Sequence, residues 1–203
     1  MKENNLSNLV VVEHYFLNRM NDSILALGKK PAGWDEVVTA GLPAEHALVM
    51  WWRHDKPQML QQALEKQYQV VLCPRIPLYF DFVQDASHRN GRKWQGAFAP
   101  LEAVYRFPTR EMMGGADPDN PLIKGIQGNV WTETIHSPER LDFMLYPRLS
   151  ALAEAAWSED AVKEQGSFNE RLKAMLARYD KEKIRYFNVT DPASSPEADG
   201  RVK

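Results

Sequence analysis

The chain has 203 residues, a formal net charge of −2, 44% hydrophobic residues and 26% charged residues. A chain of this length can bury one sizeable core, and the composition is that of a soluble globular protein. A charge so close to zero gives no electrostatic reason to expect nucleic acid or an anionic membrane as a partner. No apolar run has the length of a membrane-spanning helix, and residues 1–8 lack the apolar segment of a signal peptide.

Cysteine and histidine point to no reactive or metal-binding site. Cys73 is the only cysteine, so no intrachain disulfide can form, and its apolar neighbours predict a buried thiol rather than a reactive one. No histidine has metal-ligand spacing with another, and we expect neither a metal nor another cofactor. The histidines are His14, His46, His54, His88 and His136.

Strand-like and helix-like segments alternate through the first part of the chain. Apolar residues at helical spacing predict an amphipathic helix over residues 13–27, with Gly28 as its C-terminal stop. Pro57 begins another helix, because the missing N–H of proline costs nothing in a first helical turn. The predicted elements after the first helix are a strand over 31–34, a helix over 35–40, a strand over 47–52, a helix over 57–68 and a strand over 69–73.

The second part of the chain begins with a longer and looser segment, residues 74–122, rich in glycine, proline and polar residues. Long loops in a compact domain are usually functional or disordered. Ser137 has the character of a helix N-cap, and residues 191–203 have the composition of a disordered tail. The predicted elements here are a helix over 101–105, a strand over 125–131, a helix from Pro138 and a helix over 167–186.

Four strand-then-helix units in succession predict the α/β class, with a parallel sheet covered by helices. Four units can be half of an eight-stranded barrel or a small open sheet, and periodicity alone does not choose between the two. In either architecture the ligand lies at the carboxyl ends of the strands. Functional residues are therefore expected directly after the apolar runs.

Residues 125–133 form the most informative stretch. Trp131 and Glu133 follow a short apolar segment and are two positions apart, so at strand spacing they face the same side. An aromatic face beside a carboxylate suits a sugar, whose C–H face stacks on the ring while its hydroxyls donate to the carboxylate. The alternative is that Trp131 belongs to the core and Glu133 caps the next helix.

Three other segments end in the same way, which favours the sugar interpretation. Trp34 and Trp52 each follow a run of small or apolar residues, and Tyr79 and Asp81 repeat the spacing of Trp131 and Glu133. Because parallel strands place their carboxyl ends on one edge, these side chains are expected to converge on one pocket.

Five segments of the chain match the motifs of a known family: Gly-Trp-Asp-Glu (33–36), Met-Trp-Trp-Arg (50–53), Tyr-Phe-Asp (79–81), Gly-Ile-Gln-Gly-Asn-Val-Trp-Thr-Glu (125–133) and Tyr-Pro-Arg-Leu-Ser-Ala-Leu-Ala-Glu-Ala-Ala-Trp-Ser (146–158). They resemble glycoside hydrolase family 20, the β-N-acetylhexosaminidases, over roughly residues 10–160. The resemblance implies that this chain is the C-terminal half, strands five to eight, of a (β/α)8 TIM barrel, with a partial catalytic domain over residues 1–190.

The resemblance also implies a mechanism. Members hydrolyse terminal N-acetylglucosamine or N-acetylgalactosamine from glycans by substrate-assisted retention, in which the substrate's acetamido oxygen attacks the anomeric carbon. Their acid-bearing motif, His-x-Gly-Gly-Asp-Glu at the end of strand four, would precede residue 1, and we expect this chain to lack the acid pair. Asp35 and Glu36 imitate that pair, but in the family's pattern they begin a helix, where carboxylates are favoured.

By the same resemblance, the remaining motif residues line a sugar subsite. Tyr79 is implied to be catalytic as the donor to the acetamido oxygen, and Asp81 and Glu133 are implied to accept from sugar hydroxyls. The aromatic walls are implied to be Trp34, Trp52, Trp94 and Trp131. Two further tryptophans, Trp51 and Trp157, are predicted to pack in the interior.

Two classes of function remain open from the sequence. One is part of a glycosidase acting on N-acetylhexosamine oligosaccharides, and the other is a non-catalytic carbohydrate-binding or partner-dependent half-barrel. A half-barrel exposes strand edges and apolar surface, so we expect self-association or pairing with the missing half. The resemblance implies a periplasmic or secreted location, although the localisation itself stays unknown.

Overall fold

Four short parallel strands form the single sheet of the described chain, in a computed structural model that describes residue 4 and residues 6–198. The described residues divide into two compact units. Unit 1 contains the residues up to Pro74 together with Thr109–Ile126, and unit 2 contains Arg75–Pro108 and the residues from Gln127 onward.

The helices and strands are numbered in chain order. Unit 1 contains α1 (Leu9–Ala26), β1 (Ala32–Trp34), α2 (Val37–Ala40), β2 (Leu48–Trp51), α3 (Pro57–Glu65), β3 (Gln69–Leu72) and β4 (Ile123–Ile126). Unit 2 contains α4 (Arg75–Leu78), α5 (Leu101–Arg106), α6 (Pro138–Leu145), α7 (Arg148–Trp157) and α8 (Gln165–Glu182).

The sheet of unit 1 has the strand order β1-β2-β3-β4, and every neighbouring pair is parallel. Val49 of β2 pairs with Val70 of β3, and both side chains are fully buried. Strand residues alternate in facing, so Trp51 is also fully buried whereas Trp52 is only partly buried. The predicted α/β class, the parallel sheet and the interior position of Trp51 are confirmed.

Helix α1 begins earlier than the predicted residue 13. The side chain of Asn8 accepts a hydrogen bond from the Val11 backbone N–H at 3.0 Å, and this N-cap starts the helix at Leu9. Gly28 follows the helix with a positive φ of 67°, as expected of a C-terminal stop. Several apolar side chains of α1 remain exposed, including Val10 at 57% and Phe16 at 57%.

The last strand differs from its prediction over residues 125–131. β4 ends at Ile126, and Asn129 then makes backbone hydrogen bonds with Leu78 at 2.8 Å and Phe80 at 2.7 Å inside unit 2. Trp131 therefore follows a single β-bridge between Tyr79 and Asn129 rather than the end of a regular strand. The pattern was misleading because one continuous segment pairs twice: Ile123–Ile126 pairs with β3, and Asn129 pairs with Tyr79.

The helix predicted from Pro138 onward is two helices, α6 and α7. Ser137 caps α6 as predicted, since its hydroxyl accepts from the Arg140 backbone N–H at 3.1 Å. The break falls before Pro147, which disfavours helical geometry at the residue in front of it. Tyr146 is accordingly extended, with φ −97° and ψ 139°.

One further expectation for unit 2 differs from the structure. Trp157, predicted to pack, is 91% exposed, because α7 ends at this residue and turns the indole outward. The disordered tail over residues 191–203 stays a prediction; within it, Glu197 pairs with the fully buried Arg140. Residues 199–203 of that tail lie outside the described residues.

Arg148 is the central polar group of unit 2. Its side chain is fully buried, and its guanidinium donates hydrogen bonds to the backbone carbonyls of Phe80, Phe82, Ala99 and Met144 at 2.5–3.1 Å. These bonds give four buried carbonyls a donor inside unit 2. In the described part of the chain, each helix is too short or too polar to span a bilayer.

The first prediction concerns Arg148. We expect Arg148→Met to lower the free energy of unfolding by about 3–5 kcal/mol, because it leaves buried carbonyls without donors. Urea denaturation of the unsubstituted chain and of Arg148→Met, at equal protein concentration, measures the difference in the free energy of unfolding. Arg110→Met is the matched control, since the Arg110 side chain is 63% exposed. Equal midpoints for Arg148→Met and Arg110→Met would contradict this role.

The second prediction concerns association. Among the described residues, β1 and β4 each pair with one strand only, and α1 has exposed apolar side chains. Open strand edges and apolar surface favour contacts with other chains. We expect the purified chain to self-associate in size-exclusion chromatography with light scattering. A cooperatively melting monomer across the accessible concentration range would refute this prediction.

Candidate functional site

Five predicted or neighbouring side chains come together in unit 2, and we call them the Trp131 cluster: Tyr79, Asp81, Arg92, Trp131 and Glu133. The Trp131 indole is 39% exposed, whereas Tyr79 beneath it is 5% exposed. Their ring centroids are 6.1 Å apart, with a tilt of 53° between the planes. A buried tyrosine ring thus supports a tryptophan whose surface remains open.

Backbone pairing sets the position of the two aromatic rings. The bridge between Tyr79 and Asn129 fixes the spacing of the two segments, and Trp131 lies two residues further on. The Trp131 backbone N–H also points to Oδ1 of Asp81, at 3.4 Å. These contacts link residues about fifty positions apart in the chain, and the Tyr79–Trp131 ring contact depends on them.

Asp81 is fully buried within the cluster. Burial raises the pKa of its carboxyl, and the hydrogen bond from Trp131 and the positive charge of Arg92 only partly offset that effect. Its Oδ2 accepts no hydrogen bond, although Nη1 of Arg92 lies 3.8 Å away. Asp81 is therefore an enclosed carboxylate, not a surface acceptor.

Arg92 and Glu133 form the solvent-accessible polar part of the cluster. Arg92 Nη1 is 3.6 Å from Glu133 Oε1, and the two side chains are 49% and 64% exposed. The arginine thus lies between an exposed and a buried carboxylate. Sequence reasoning missed Arg92, because it lies in an irregular loop and only the folded chain places it beside residues 81 and 133.

The structure separates the two alternatives for Glu133. Ser137, not Glu133, caps α6, and the Glu133 carboxylate points to Arg92. The predicted strand spacing is absent, because Thr132–Thr134 form one turn of 3₁₀ helix after an extended Trp131. The 3₁₀ turn, and not the alternation of a strand, therefore sets the positions of Trp131 and Glu133 relative to each other.

Trp94 occupies a separate position in unit 2. The Arg75 guanidinium carbon lies 3.4 Å from the centre of the Trp94 ring, and Arg75 is 8% exposed. This cation–π contact occupies one face of the indole. Its predicted role as a wall of the sugar site stays a prediction.

Unit 1 contains the second pair of predicted aromatic residues. Trp34 and Trp52 meet edge to face, with ring centroids 6.4 Å apart, and Trp34 is 38% exposed. The Trp52 Nε1–H donates to Oε2 of Glu36 at 3.1 Å. Glu36 therefore orients an indole instead of standing free as an acid.

Asp35 has a structural role in unit 1, although not the predicted one at a helix end. It is fully buried, pairs with Arg53 Nε at 2.5 Å, and accepts from the backbone N–H groups of Trp52 and Arg53 at 3.3 Å. Burial raises the pKa of Asp35, while the charge of Arg53 opposes this shift. The carboxylate ties the end of β1 to the end of β2.

The predicted site residues are divided between the two units. Trp34 and Trp52 belong to unit 1; Tyr79, Asp81, Trp94, Trp131 and Glu133 belong to unit 2. Their convergence on one pocket stays a prediction. Within residue 4 and residues 6–198, no three His, Cys, Asp or Glu side chains form a group that could hold a metal ion.

Comparison with known proteins gives the family. Residues 1–160 match the sequence profile described as glycosyl hydrolase family 20, catalytic domain. A β-hexosaminidase from Porphyromonas gingivalis is 32% identical over 92% of this chain and 23% of its own length. A β-N-acetylhexosaminidase from Cellulomonas fimi is 28% identical over 78% of this chain and 32% of its own length.

A solved structure agrees with the sequence comparison. The family 20 exo-β-N-acetylglucosaminidase from Vibrio harveyi, crystallised in complex with N-acetylglucosamine, superposes with a TM-score of 0.81 at 28% identity. The match covers 93% of this chain and 29% of that structure, so the chain spans about a third or less of the proteins it resembles. The chain belongs to glycosyl hydrolase family 20, and its parallel sheet with alternating helices is part of a (β/α)8 barrel fold.

Proposed function

We propose that this chain supplies the sugar-binding subsite of a β-N-acetylhexosaminidase that removes terminal N-acetylhexosamine from glycans. The Trp131 cluster is the main support, because it combines an open aromatic face with exposed polar groups in a member of glycosyl hydrolase family 20. Relatives named β-hexosaminidases and the N-acetylglucosamine complex from Vibrio harveyi support the choice of substrate class.

Trp131 is the proposed stacking platform. Its indole is 39% exposed, and Tyr79 packs against it from inside unit 2. An aromatic side chain that packs on a buried ring and is partly exposed can cover the C–H face of a pyranose with little loss of side-chain entropy on binding. The Arg92 and Glu133 side chains of the cluster are polar and exposed, which suits the sugar hydroxyls.

Glu133 is the proposed acceptor for sugar hydroxyls. Its side chain is 64% exposed, so a hydroxyl can reach it and form a charge-assisted hydrogen bond. Asp81 is proposed as the second acceptor, and its Oδ2 accepts no hydrogen bond in the described residues. Because Asp81 is fully buried, Glu133 is the acceptor of the two that a hydroxyl can reach from solvent.

Tyr79 is the proposed catalytic residue of this chain. In substrate-assisted retention the acetamido oxygen is the nucleophile, so a phenol that donates to this oxygen would hold it in line with the anomeric carbon. Tyr79 is 5% exposed, and a β-bridge joins its backbone to Asn129. Both observations support a phenol group that is held in one position. An interaction that orients the attacking atom acts on the transition state, and hence on the chemical step.

We further propose that Asp35 and Glu36 are not the acid pair of the reaction. Asp35 is enclosed by Arg53 and backbone N–H groups, and Glu36 accepts from the Trp52 indole. A general acid must instead hold a proton that it can deliver to the leaving oxygen. The acid and its orienting aspartate would then come from residues outside this sequence.

A second candidate is a carbohydrate-binding half-barrel without catalysis. The structural roles of Asp35 and Glu36 fit this candidate as well as the first, because both functions keep the sugar site and neither uses this pair as an acid. The two candidates differ in one measurable property. Only the first gains hydrolytic activity when a chain carrying the family's acid motif is added.

The third prediction is that the purified chain alone does not hydrolyse N-acetylhexosaminides at an enzyme-like rate. General acid catalysis is typically worth about 10²- to 10⁴-fold, and no acid is proposed here. Release of nitrophenol from nitrophenyl β-N-acetylglucosaminide measures the activity. Robust turnover that disappeared in Glu36→Gln would show that Glu36 is an acid after all.

The fourth prediction is that Trp131→Ala weakens N-acetylglucosamine binding to the chain by at least about fivefold, through the loss of stacking. Isothermal titration calorimetry or ligand-observed NMR measures the affinity. Trp157→Ala is the matched control in the same unit, since Trp157 is 91% exposed and lies outside the cluster.

The fourth prediction has two outcomes that count against the proposal. If the unsubstituted chain does not bind N-acetylglucosamine, the chain lacks a sugar site of its own. If Trp131→Ala and Trp157→Ala bind as tightly as the unsubstituted chain, sugar binding does not use the Trp131 cluster.

A further inference from the structure

Residues 191–198, the C-terminal segment, are tied to the loop that precedes Arg92. One oxygen of Glu197 accepts from the Arg89 backbone N–H at 2.8 Å, and the other accepts from the Asn90 backbone N–H at 3.0 Å. The same carboxylate accepts from Arg140 Nη1 at 2.9 Å. Glu197 therefore satisfies three donors, two of which belong to one loop.

Arg140 strengthens this connection from the interior. Its side chain is fully buried, and it donates to the Asn90 carbonyl at 2.6 Å and to the Ala198 carbonyl at 3.0 Å. Both the N–H and the carbonyl of Asn90 are thus bound by the Glu197–Arg140 pair. A loop residue held at both backbone groups has little freedom to move on its own.

The loop leads directly into the Trp131 cluster. The Arg92 backbone N–H donates to the Asp81 carbonyl at 3.2 Å, and the Arg92 carbonyl accepts from Val83 at 3.1 Å. Gly91, between Asn90 and Arg92, has a φ of 122°, and a Cβ there would lie 2.7 Å from the Val83 side chain. The path from Asn90 to Arg92 is therefore tight, and a shift at one end is passed to the other.

The C-terminal segment is itself anchored in unit 2. Arg185 donates to the Pro196 carbonyl at 2.5 Å, and the Asn188 backbone N–H donates to the Ser195 hydroxyl at 2.7 Å. Burial alone would raise the pKa of Glu197, but the hydrogen bonds from Arg89, Asn90 and Arg140 outweigh it and lower the pKa. The carboxylate is therefore ionised at neutral pH.

We propose that Glu197 is a positioning residue for the sugar site, acting through the Arg89–Asn90 backbone on Arg92. It touches no reacting atom and no sugar. Its role is to hold the loop so that the Arg92 guanidinium stays between Asp81 and Glu133, which keeps the exposed Glu133 carboxylate in place to accept a sugar hydroxyl. This inference rests on the proposed function of the Trp131 cluster.

The test uses the full chain with N-acetylglucosamine as the probe. Glu197→Gln is expected to weaken binding about three- to tenfold, because the neutral amide has a single acceptor oxygen for three donors. Glu197→Asp keeps the charge on a shorter side chain and is expected to recover part of the affinity. Glu170→Gln is the matched control, since Glu170 is 71% exposed and pairs only with Lys173 among the ion pairs of the described residues.

A double-substitution cycle separates positioning from general stability. If Glu197 acts through Arg92, then Glu197→Gln has no further effect on affinity in an Arg92→Ala background. Hydrogen exchange of the amides in residues 88–92 provides a readout that needs no sugar. We expect faster exchange there in Glu197→Gln and unchanged exchange in Glu170→Gln.

The outcomes are distinct from those of the proposed function. A chain that does not bind N-acetylglucosamine refutes the proposed function, and unchanged exchange of residues 88–92 in Glu197→Gln refutes the positioning role in either case. A chain that binds equally well with and without Glu197→Gln also overturns the role. The role is also overturned if Glu197→Gln weakens binding equally in the chain with Arg92 and in the Arg92→Ala variant, because that result indicates a merely structural effect.

Discussion

The buried guanidinium of Arg148 is the interaction on which the candidate site of unit 2 depends. It donates to the carbonyls of Phe80 and Phe82, the residues on either side of Asp81, and also to Ala99 and Met144. These bonds define the path of the segment that presents Tyr79 and Asp81. Burial lowers the pKa of Arg148 to about 9, and the nearby Asp81 carboxylate counteracts that shift. The hydrogen bonds to four carbonyls replace the water shell that the buried guanidinium has lost.

The same principle recurs at Asp35 and at Arg140, two other fully buried charges. In unit 1, Asp35 is enclosed by Arg53 and backbone N–H groups. In unit 2, the fully buried Arg140 is matched by Glu197 and by carbonyl oxygens. Burying an ion is tolerated when hydrogen bonds replace its water shell. Carboxylates that appear alike in the sequence therefore differ in availability: Asp35 and Glu197 are committed to internal partners, whereas Glu133 is open to a ligand.

Much of the fold could be predicted from residue patterns. The first three strands, the helix that begins at Pro57, the Ser137 cap and the opposite facing of Trp51 and Trp52 follow from local periodicity and capping chemistry. The patterns failed where pairing changed partners. Residues 125–131 have the composition of one strand, yet β4 ends at Ile126 and Asn129 pairs with Leu78 and Phe80. Trp157, a large aromatic in a helix, is exposed. The prediction failed because composition does not indicate which face of a helix is covered.

By itself, the sequence determined the α/β class and the identity of the aromatic and acidic residues that follow the strands, because these depend on neighbours within a few positions. The family came from the resemblance of five motifs and from the match of residues 1–160 to the family profile. Only the tertiary structure decided that Asp81 is enclosed, that Arg92 joins it to Glu133, and that Glu197 binds the loop before Arg92. Glu197 and Arg89 are 108 positions apart, and no periodicity extends over such a distance. The physical reason is that long-range contacts arise when separate elements pack and must satisfy one another's polar groups, a condition that exists only in the folded chain.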